Sequence, residues 1–178
     1  MKIAVIGAGQ MGNGIAQVAA SAGYEVLMID IKEEYVDRGM ATIQKSLSKL
    51  VSKERISQSD ADDTLARIST TTDRGECADV DLVVEAVPEI LDLKTSIFSE
   101  LDEICKPECI LASNTSSISI STIANATKRP EKVIGMHFMN PVPIMKLVEI
   151  INGDQTSEAT NSAVVEAAEK MGKMALSC

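Results

Sequence analysis

The first fourteen residues constrain the fold most. Ile3 to Ile6 is a short apolar run of the kind that forms a buried parallel strand. Gly7, Gly9 and Gly12 follow with the spacing G-x-G-x-x-G. Apolar residues at Ile15, Val18, Ala19 and Ala22 then mark a helix face that stops at Gly23. Strand, glycine turn and helix is the context in which this spacing has a mechanism. Gly7 permits the tight turn, Gly9 lets a pyrophosphate approach the backbone, and Gly12 lets the helix lie close on the strand. The free N–H groups and positive dipole end of the helix, where Gln10 and Met11 lie, then face the phosphates. A second strand, Glu25 to Ile29, ends in Asp30, eighteen residues after Gly12. An acid at about that distance accepts hydrogen bonds from an adenosine ribose. A glycine-rich turn in some other α/β protein is the competing reading. It accounts for the glycines but not for the acid.

At 178 residues the chain makes one ordinary domain, or one domain with a long insertion. Seventeen Lys and Arg against 26 Asp and Glu leave a formal charge of −9, which argues against nucleic acid as the main partner. A local basic patch remains compatible with that balance. The chain enters a strand within two residues, so no signal peptide is expected. No apolar run approaches the ~18 residues of a membrane span. Cys77, Cys105, Cys109 and Cys178 lack the paired spacing of a zinc site, and no metal is expected. Free thiols in the cytoplasm are the default for such cysteines. With two Phe, two Tyr and no Trp, the core has to be aliphatic and rich in Met.

After Asp30, Val36, Met40, Ile43, Leu47 and Leu50 recur at steps of four and three, which predicts a long helix. Ser46, Lys49 and Lys53 fall on a different stripe of it, with Lys45 and Arg55 nearby. Such lysines form a solvated face or a basic groove for a phosphorylated substrate handle; the spacing allows both. Thirty-seven residues separate Asp30 from the next strand, Ile68 to Thr71, more than one crossover helix needs. A second helix is therefore expected over Ser59 to Arg67, started by Ser59 with Asp62 and Asp63.

Asp81 to Glu85 reads as a buried strand, with Glu85 and Glu89 around Pro88 at its carboxyl end, where open α/β sheets bind ligands. A helix from Leu91 to Cys105 leads to a short strand, Ile110 to Ala112. That strand opens into the polar loop Ser113-Asn114-Thr115-Ser116-Ser117. The loop either caps the next helix through Ser117 or Ser119 or serves a ligand. Val133 to His137 is a strand ending in the only histidine, and Leu147 to Ile151 is a strand carrying Glu149. An acid in an apolar strand needs a partner. A helix over Ser157 to Met171 and a strand beginning at Lys173 close the pattern. Strands alternating with helices predict an α/β fold, a doubly wound, mostly parallel sheet with a helical-hairpin insertion after the second strand.

Four stretches carry a resemblance: Val-Ile-Gly-Ala-Gly-Gln-Met-Gly-Asn-Gly-Ile-Ala, Leu-Val-Val-Glu-Ala-Val-Pro-Glu, Leu-Ala-Ser-Asn-Thr-Ser-Ser, and Gly-Met-His-Phe-Met-Asn-Pro-Val-Pro-Ile-Met-Lys-Leu-Val-Glu. Together they resemble the NAD-binding domain of 3-hydroxyacyl-CoA dehydrogenases, a Rossmann domain. That family oxidises the 3-hydroxyl of an acyl-CoA to a ketone with NAD, in fatty-acid or butanoate metabolism. The resemblance implies His137 as catalytic base, Glu149 as the carboxylate orienting it, and Ser116 as a contact to the substrate oxygen. It implies Ser46 and Lys53 as holders of the CoA, to which the stripe adds Lys49. It also implies Asp30, Glu89, Lys94, Asn114 and Asn140 as NAD contacts beside the glycine loop.

Elementary chemistry agrees with the acid–base roles. Histidine titrates near neutral pH, so it can take the hydroxyl proton and return it. A carboxylate on its other nitrogen fixes the tautomer. Without the resemblance, a lone histidine at a strand end is more often structural. NAD is expected over NADP, because Asp30 repels a 2′-phosphate and Ile31 and Lys32 follow it rather than an arginine.

The family continues with a helical second domain that supplies an asparagine to the site and most of a homodimer contact. Its opening Pro-Gly-Phe and Asn-Arg sequences are not found before Cys178. Residues 1–178 are thus expected to be the NAD-binding domain, with the acyl-CoA as substrate. Alternatives are another hydroxyacid dehydrogenase, or a module that binds NAD without turnover.

Overall fold

The computed structural model describes all residues from 1 to 178. The chain runs β1 (Lys2–Ile6), α1 (Gln10–Ser21), β2 (Glu25–Ile29), α2 (Glu33–Ser52), α3 (Gln58–Ala66) and β3 (Ile68–Thr71). It continues through β4 (Leu82–Glu85), α4 (Leu91–Ile104), β5 (Ile110–Ser113), α5 (Ile120–Ala124), β6 (Val133–Phe138), β7 (Leu147–Asn152), α6 (Glu158–Lys170) and β8 (Met174–Ser177). Two short 3-10 turns, Arg74–Asp79 and Pro130–Lys132, precede β4 and β6.

The eight strands form one sheet in the order β3-β2-β1-β4-β5-β6-β7-β8. Every neighbouring pair is parallel except β6 and β7, which run antiparallel. The sheet is thus doubly wound and mostly parallel, with the helical hairpin α2–α3 inserted after β2. Strand order reverses between β1 and β4, and the carboxyl ends on either side of that point open a crevice.

Alternate strand residues feed two cores, as a pleat with both faces covered requires. Ile3, Val5, Met28 and Val84 pack with Ile15, Ile43, Leu47 and Val164 of the helices on one face. Ala4, Ile6, Leu27 and Val83 pack with Phe98, Leu101 and Ile123 on the other. The cores are aliphatic, and both phenylalanines, Phe98 and Phe138, lie fully inside them. Cys77, Cys105 and Cys109 are buried and unpaired, and burial first of all pushes the Cys77 thiol up to about 12. No helix is long and apolar enough to cross a membrane.

One helix start differs from expectation, and another is decided between two candidates. The cap of α3 is Ser57, not Ser59. Ser57 accepts from the Asp60 N–H at 3.0 Å while Asp60 accepts from the Ser57 N–H at 3.1 Å, a reciprocal capping box. Of the two cap candidates for α5, Ser119 makes the bond, to the Thr122 N–H at 3.3 Å. Ser117 turns its hydroxyl to Glu89 instead.

Candidate functional site

The glycine loop has the geometry of its expected roles. Gly7 sits at φ +110°, a conformation that side chains resist, and a Cβ there would meet the Ala86 carbonyl at 2.6 Å. A Cβ on Gly12 would stand 1.8 Å from the Gly7 carbonyl oxygen, so helix and loop touch only because it is absent. A Cβ on Gly9 would meet nothing within 4 Å; the space over it is open to a ligand. The first turn of α1 has no side-chain cap, which leaves its N–H groups for an anion. These features fit a dinucleotide pyrophosphate.

Asp30 ends β2 beside the loop. Its Oδ2 accepts from the Ala8 N–H at 2.8 Å and its Oδ1 from the Ile31 N–H at 2.7 Å. The carboxylate therefore orders the loop and keeps lone pairs for ribose hydroxyls. A cleft of about 600 Å³ runs from here across Gly7, Gly9, Gln10 and Met11 to Val87 and Pro88. Arg38 and Arg74 also line it. The chain neighbours of Asp30 are indeed Ile31 and Lys32, yet the fold brings two arginines into the same cleft from α2 and from the turn after β3. An arginine near Asp30 was not expected, because nearness in the chain stood in for nearness in space.

A second cleft of about 310 Å³ adjoins the first and shares Met11, Ala86, Val87 and Pro88 with it. It gathers Glu89, Lys94, Asn114, Ser116, His137 and Asn140 from the carboxyl ends of β4, β5 and β6, the loops after them, and α4. The antiparallel register of β6 and β7 sets His137 opposite Glu149. Nδ1 of His137 lies 3.1 Å from Oε1 of Glu149, which leaves Nε2 for the cleft. Asn114 fixes the strand below: its Oδ1 accepts from the Phe138 N–H at 2.8 Å.

A buried polar network supports the floor. Glu85 is fully buried and accepts from Ser113 Oγ at 2.6 Å, the Val87 N–H at 2.8 Å and Lys94 Nζ at 2.5 Å. Lys94 also reaches the Val87 carbonyl and Glu89 Oε1, both at 3.1 Å. All three ammonium donors are thus engaged inside the protein. Lys94, expected as a cofactor contact, lines the second cleft and bridges Glu85 and Glu89. The other oxygen of Glu89 accepts from Thr115 Oγ1 at 2.8 Å, Ser117 Oγ at 3.0 Å and the Ser116 N–H at 3.2 Å. Partial burial raises the Glu89 carboxyl, but donation from Thr115, Lys94 and Ser117 outweighs it and holds the group at about 2. The Ser116 hydroxyl donates to the same oxygen of Glu89 over a long 3.4 Å.

Ser46, Lys49 and Lys53 lie in neither cleft. Lys49 and Lys53 are exposed at the end of α2, Ser46 is half-buried, and the lysines make no ion pair. In the sequence Lys173 stood out only as the start of the last strand. It is 9% exposed and donates to the carbonyls of Val142 at 2.6 Å and Met145 at 2.7 Å. It thereby ties the start of β8 to the loop that carries Asn140. Burial, and then Lys146, depress its pKa.

Residues 2–178 match the family model described as 3-hydroxyacyl-CoA dehydrogenase, NAD binding domain. The whole chain is 56% identical to a probable 3-hydroxybutyryl-CoA dehydrogenase of Deinococcus radiodurans, and spans 64% of that protein. Over 98% of its length it is 49% identical to a probable 3-hydroxybutyryl-CoA dehydrogenase of Bacillus subtilis, and spans 61% of it. The crystal structure of (S)-3-hydroxybutyryl-CoA dehydrogenase from Ralstonia eutropha superposes with a TM-score of 0.97 at 44% identity, covering 99% of this chain and 62% of that one. That of the Escherichia coli K12 3-hydroxybutyryl-CoA dehydrogenase gives 0.98 at 42%, covering 100% and 38%. The chain thus spans less than two thirds of these relatives, and it belongs to the family of NAD-binding domains of 3-hydroxyacyl-CoA dehydrogenases.

Proposed function

We propose that this chain is the cofactor-binding and acid–base half of a dehydrogenase that interconverts 3-hydroxyacyl-CoA and 3-oxoacyl-CoA. One observation carries the reading: His137, backed by Glu149 at 3.1 Å, lines a cleft continuous with the dinucleotide crevice. NAD, when bound, supplies the hydride acceptor. The loop at Gly7, Gly9 and Gly12 and the first turn of α1 would hold its pyrophosphate, and Asp30 its adenosine ribose.

The remaining chemistry belongs to side chains of this chain. Nε2 of His137 takes the proton of the 3-hydroxyl as the carbon is oxidised, and returns it in reduction. Glu149 keeps the proton of the resting imidazole on Nδ1 and stabilises the imidazolium. Ser116 exchanges its long bond to Glu89 for one to the substrate oxygen. Glu89, anchored by Lys94 and three loop donors, holds the 114–117 loop so that Ser116 and Asn114 face the same space. Lys49 and Lys53 remain candidates for the CoA phosphates, because an unpaired lysine is free to take one. An Ala at Lys53 should weaken CoA-ester binding at low salt and leave NADH binding alone.

The test uses the 178-residue chain and its His137→Gln variant. NADH is titrated by fluorescence, and acetoacetyl-CoA reduction is followed on the same samples. The variant should bind NADH within about twofold of the parent and lose at least about a hundredfold in rate, the scale of positioned proton transfer. Equal rates in the two proteins would refute the assignment.

A further inference from the structure

We propose that the preference for a free ribose 2′-hydroxyl in the crevice is set by Glu100 together with Asp30: Glu100 neutralises Arg74, the cation that a 2′-phosphate would otherwise use. The proposal rests on Asp30 as the ribose acceptor. Dinucleotide crevices that admit a 2′-phosphate do so with an arginine near the ribose acid. Two arginines line this cleft beside Asp30, so the acid alone does not explain rejection of the phosphate.

The two arginines are held differently. Arg38 meets Glu34 one helical turn away at 2.9 Å, with both side chains about two thirds exposed. A pair so solvated is weak, and the guanidinium also lies over the Tyr35 ring, 5.7 Å from its centre. Arg74 comes from the turn after β3, and Glu100 from α4, which packs against that turn. Both Nε and Nη2 of Arg74 donate to Oε2 of Glu100, at 3.0 and 2.7 Å, and the two side chains are 29% and 42% exposed. This pair joins separate elements, and its guanidinium is fixed in place. Its net charge is zero. A 2′-phosphate entering the crevice would meet the negative Asp30 and a neutralised Arg74. Nη1 of Arg74 has no partner in the protein, so the guanidinium keeps donors for a phosphate once its charge is released.

Glu100→Gln isolates the charge, because the amide oxygen still accepts from Arg74 while the carboxylate charge is gone. NADH and NADPH are titrated by fluorescence against the parent, Glu100→Gln, Asp30→Ser and the double variant Asp30→Ser/Glu100→Gln. Melting temperature is recorded for each as the control for folding. NADH affinity of the parent and of Glu100→Gln should agree within about threefold, which tests the crevice itself. NADPH should bind the double variant about tenfold more tightly than Asp30→Ser, the gain of one charge-assisted contact. Raising salt from 0.05 to 0.5 M should shrink that gain. Glu34→Gln in the Asp30→Ser background should give a smaller gain, since Arg38 is already solvated. Equal NADPH affinity in Asp30→Ser and the double variant, with NADH binding intact in the parent and Glu100→Gln, would overturn the role of Glu100 and leave the crevice standing.

Discussion

Glu89 is the residue on which the 114–117 loop is hung, and its chemistry predicts a pH effect. Its carboxyl sits at about 2, below its ordinary 4.5. A depressed carboxyl contributes stability that is fully present above its ordinary pKa and is lost as pH falls through its folded value. The parent should therefore lose stability between about pH 4.5 and 2 more steeply than Glu89→Gln, which has no carboxylate to protonate. Thermal unfolding at a series of pH values measures both slopes, and parallel slopes would remove Glu89 from the cause. Lys94 makes a sharper case. It is 1% exposed and its partner Glu85 is fully buried, so Lys94→Met strands a charge and should cost about 3–5 kcal/mol in urea unfolding. Adding Glu85→Gln should recover part of that loss. If the double variant is no more stable than Lys94→Met, the pair is not what the lysine provides.

At the scale of elements, the strands were legible because both faces of the sheet are covered, which makes each strand a short apolar run. β2 and β3 fall where the pattern placed them, and the other strand ends shift by a residue or so. α5 was expected only as a helix that the 113–117 loop caps, and the two 3-10 turns were not foreseen; at three to six residues each they are too short to show a period. The cap of α3 was misread because Asp62 and Asp63 drew the start to Ser59, while Asp60, three residues beyond Ser57, marks the box. His137 and Glu149 were paired in advance by the resemblance, with which an acid in an apolar strand, demanding a partner, agreed. The lysine strut and the arginines of the crevice depend on contacts between distant segments, which no local pattern carries. Gly14, the glycine after the motif, is of the same kind. A Cβ there would lie 2.8 Å from Cβ of Val142, so α1 and the loop carrying Asn140 approach only across a glycine. Gly14→Ala should push that loop aside and destabilise the fold by about 1–3 kcal/mol. It should also lower the rate of acetoacetyl-CoA reduction more than the affinity for NADH. A variant of parental stability would show that the loop yields without cost.

For the whole molecule, the antiparallel strand β7 and the parallel β8 extend the sheet beyond the site and end in an unpaired edge. Met174 and Leu176 on β8 are 68% and 52% exposed, and Ile144 and Met145 just before β7 are 71% and 40% exposed. The four belong to one region, because β8 starts against Lys146 and Leu147 and Lys173 binds the Met145 carbonyl. An apolar surface of this kind on an open edge favours association. Ser116 and Asn140 are also exposed, so water reaches the atoms around His137 in these 178 residues. A polypeptide of this length should then bind NADH through its complete crevice yet reduce acetoacetyl-CoA below about 1 per second, the lower end of the common enzyme range, because substrate is not clamped and water is not excluded. It should also self-associate at tens of micromolar, through a contact that Met174→Glu with Leu176→Lys weakens while NADH affinity stays put. Sedimentation velocity and fluorescence titration on the same preparations read both quantities. A monomer at all concentrations would show that the exposed edge is not sticky, and turnover within the common range would show that these residues alone hold the substrate.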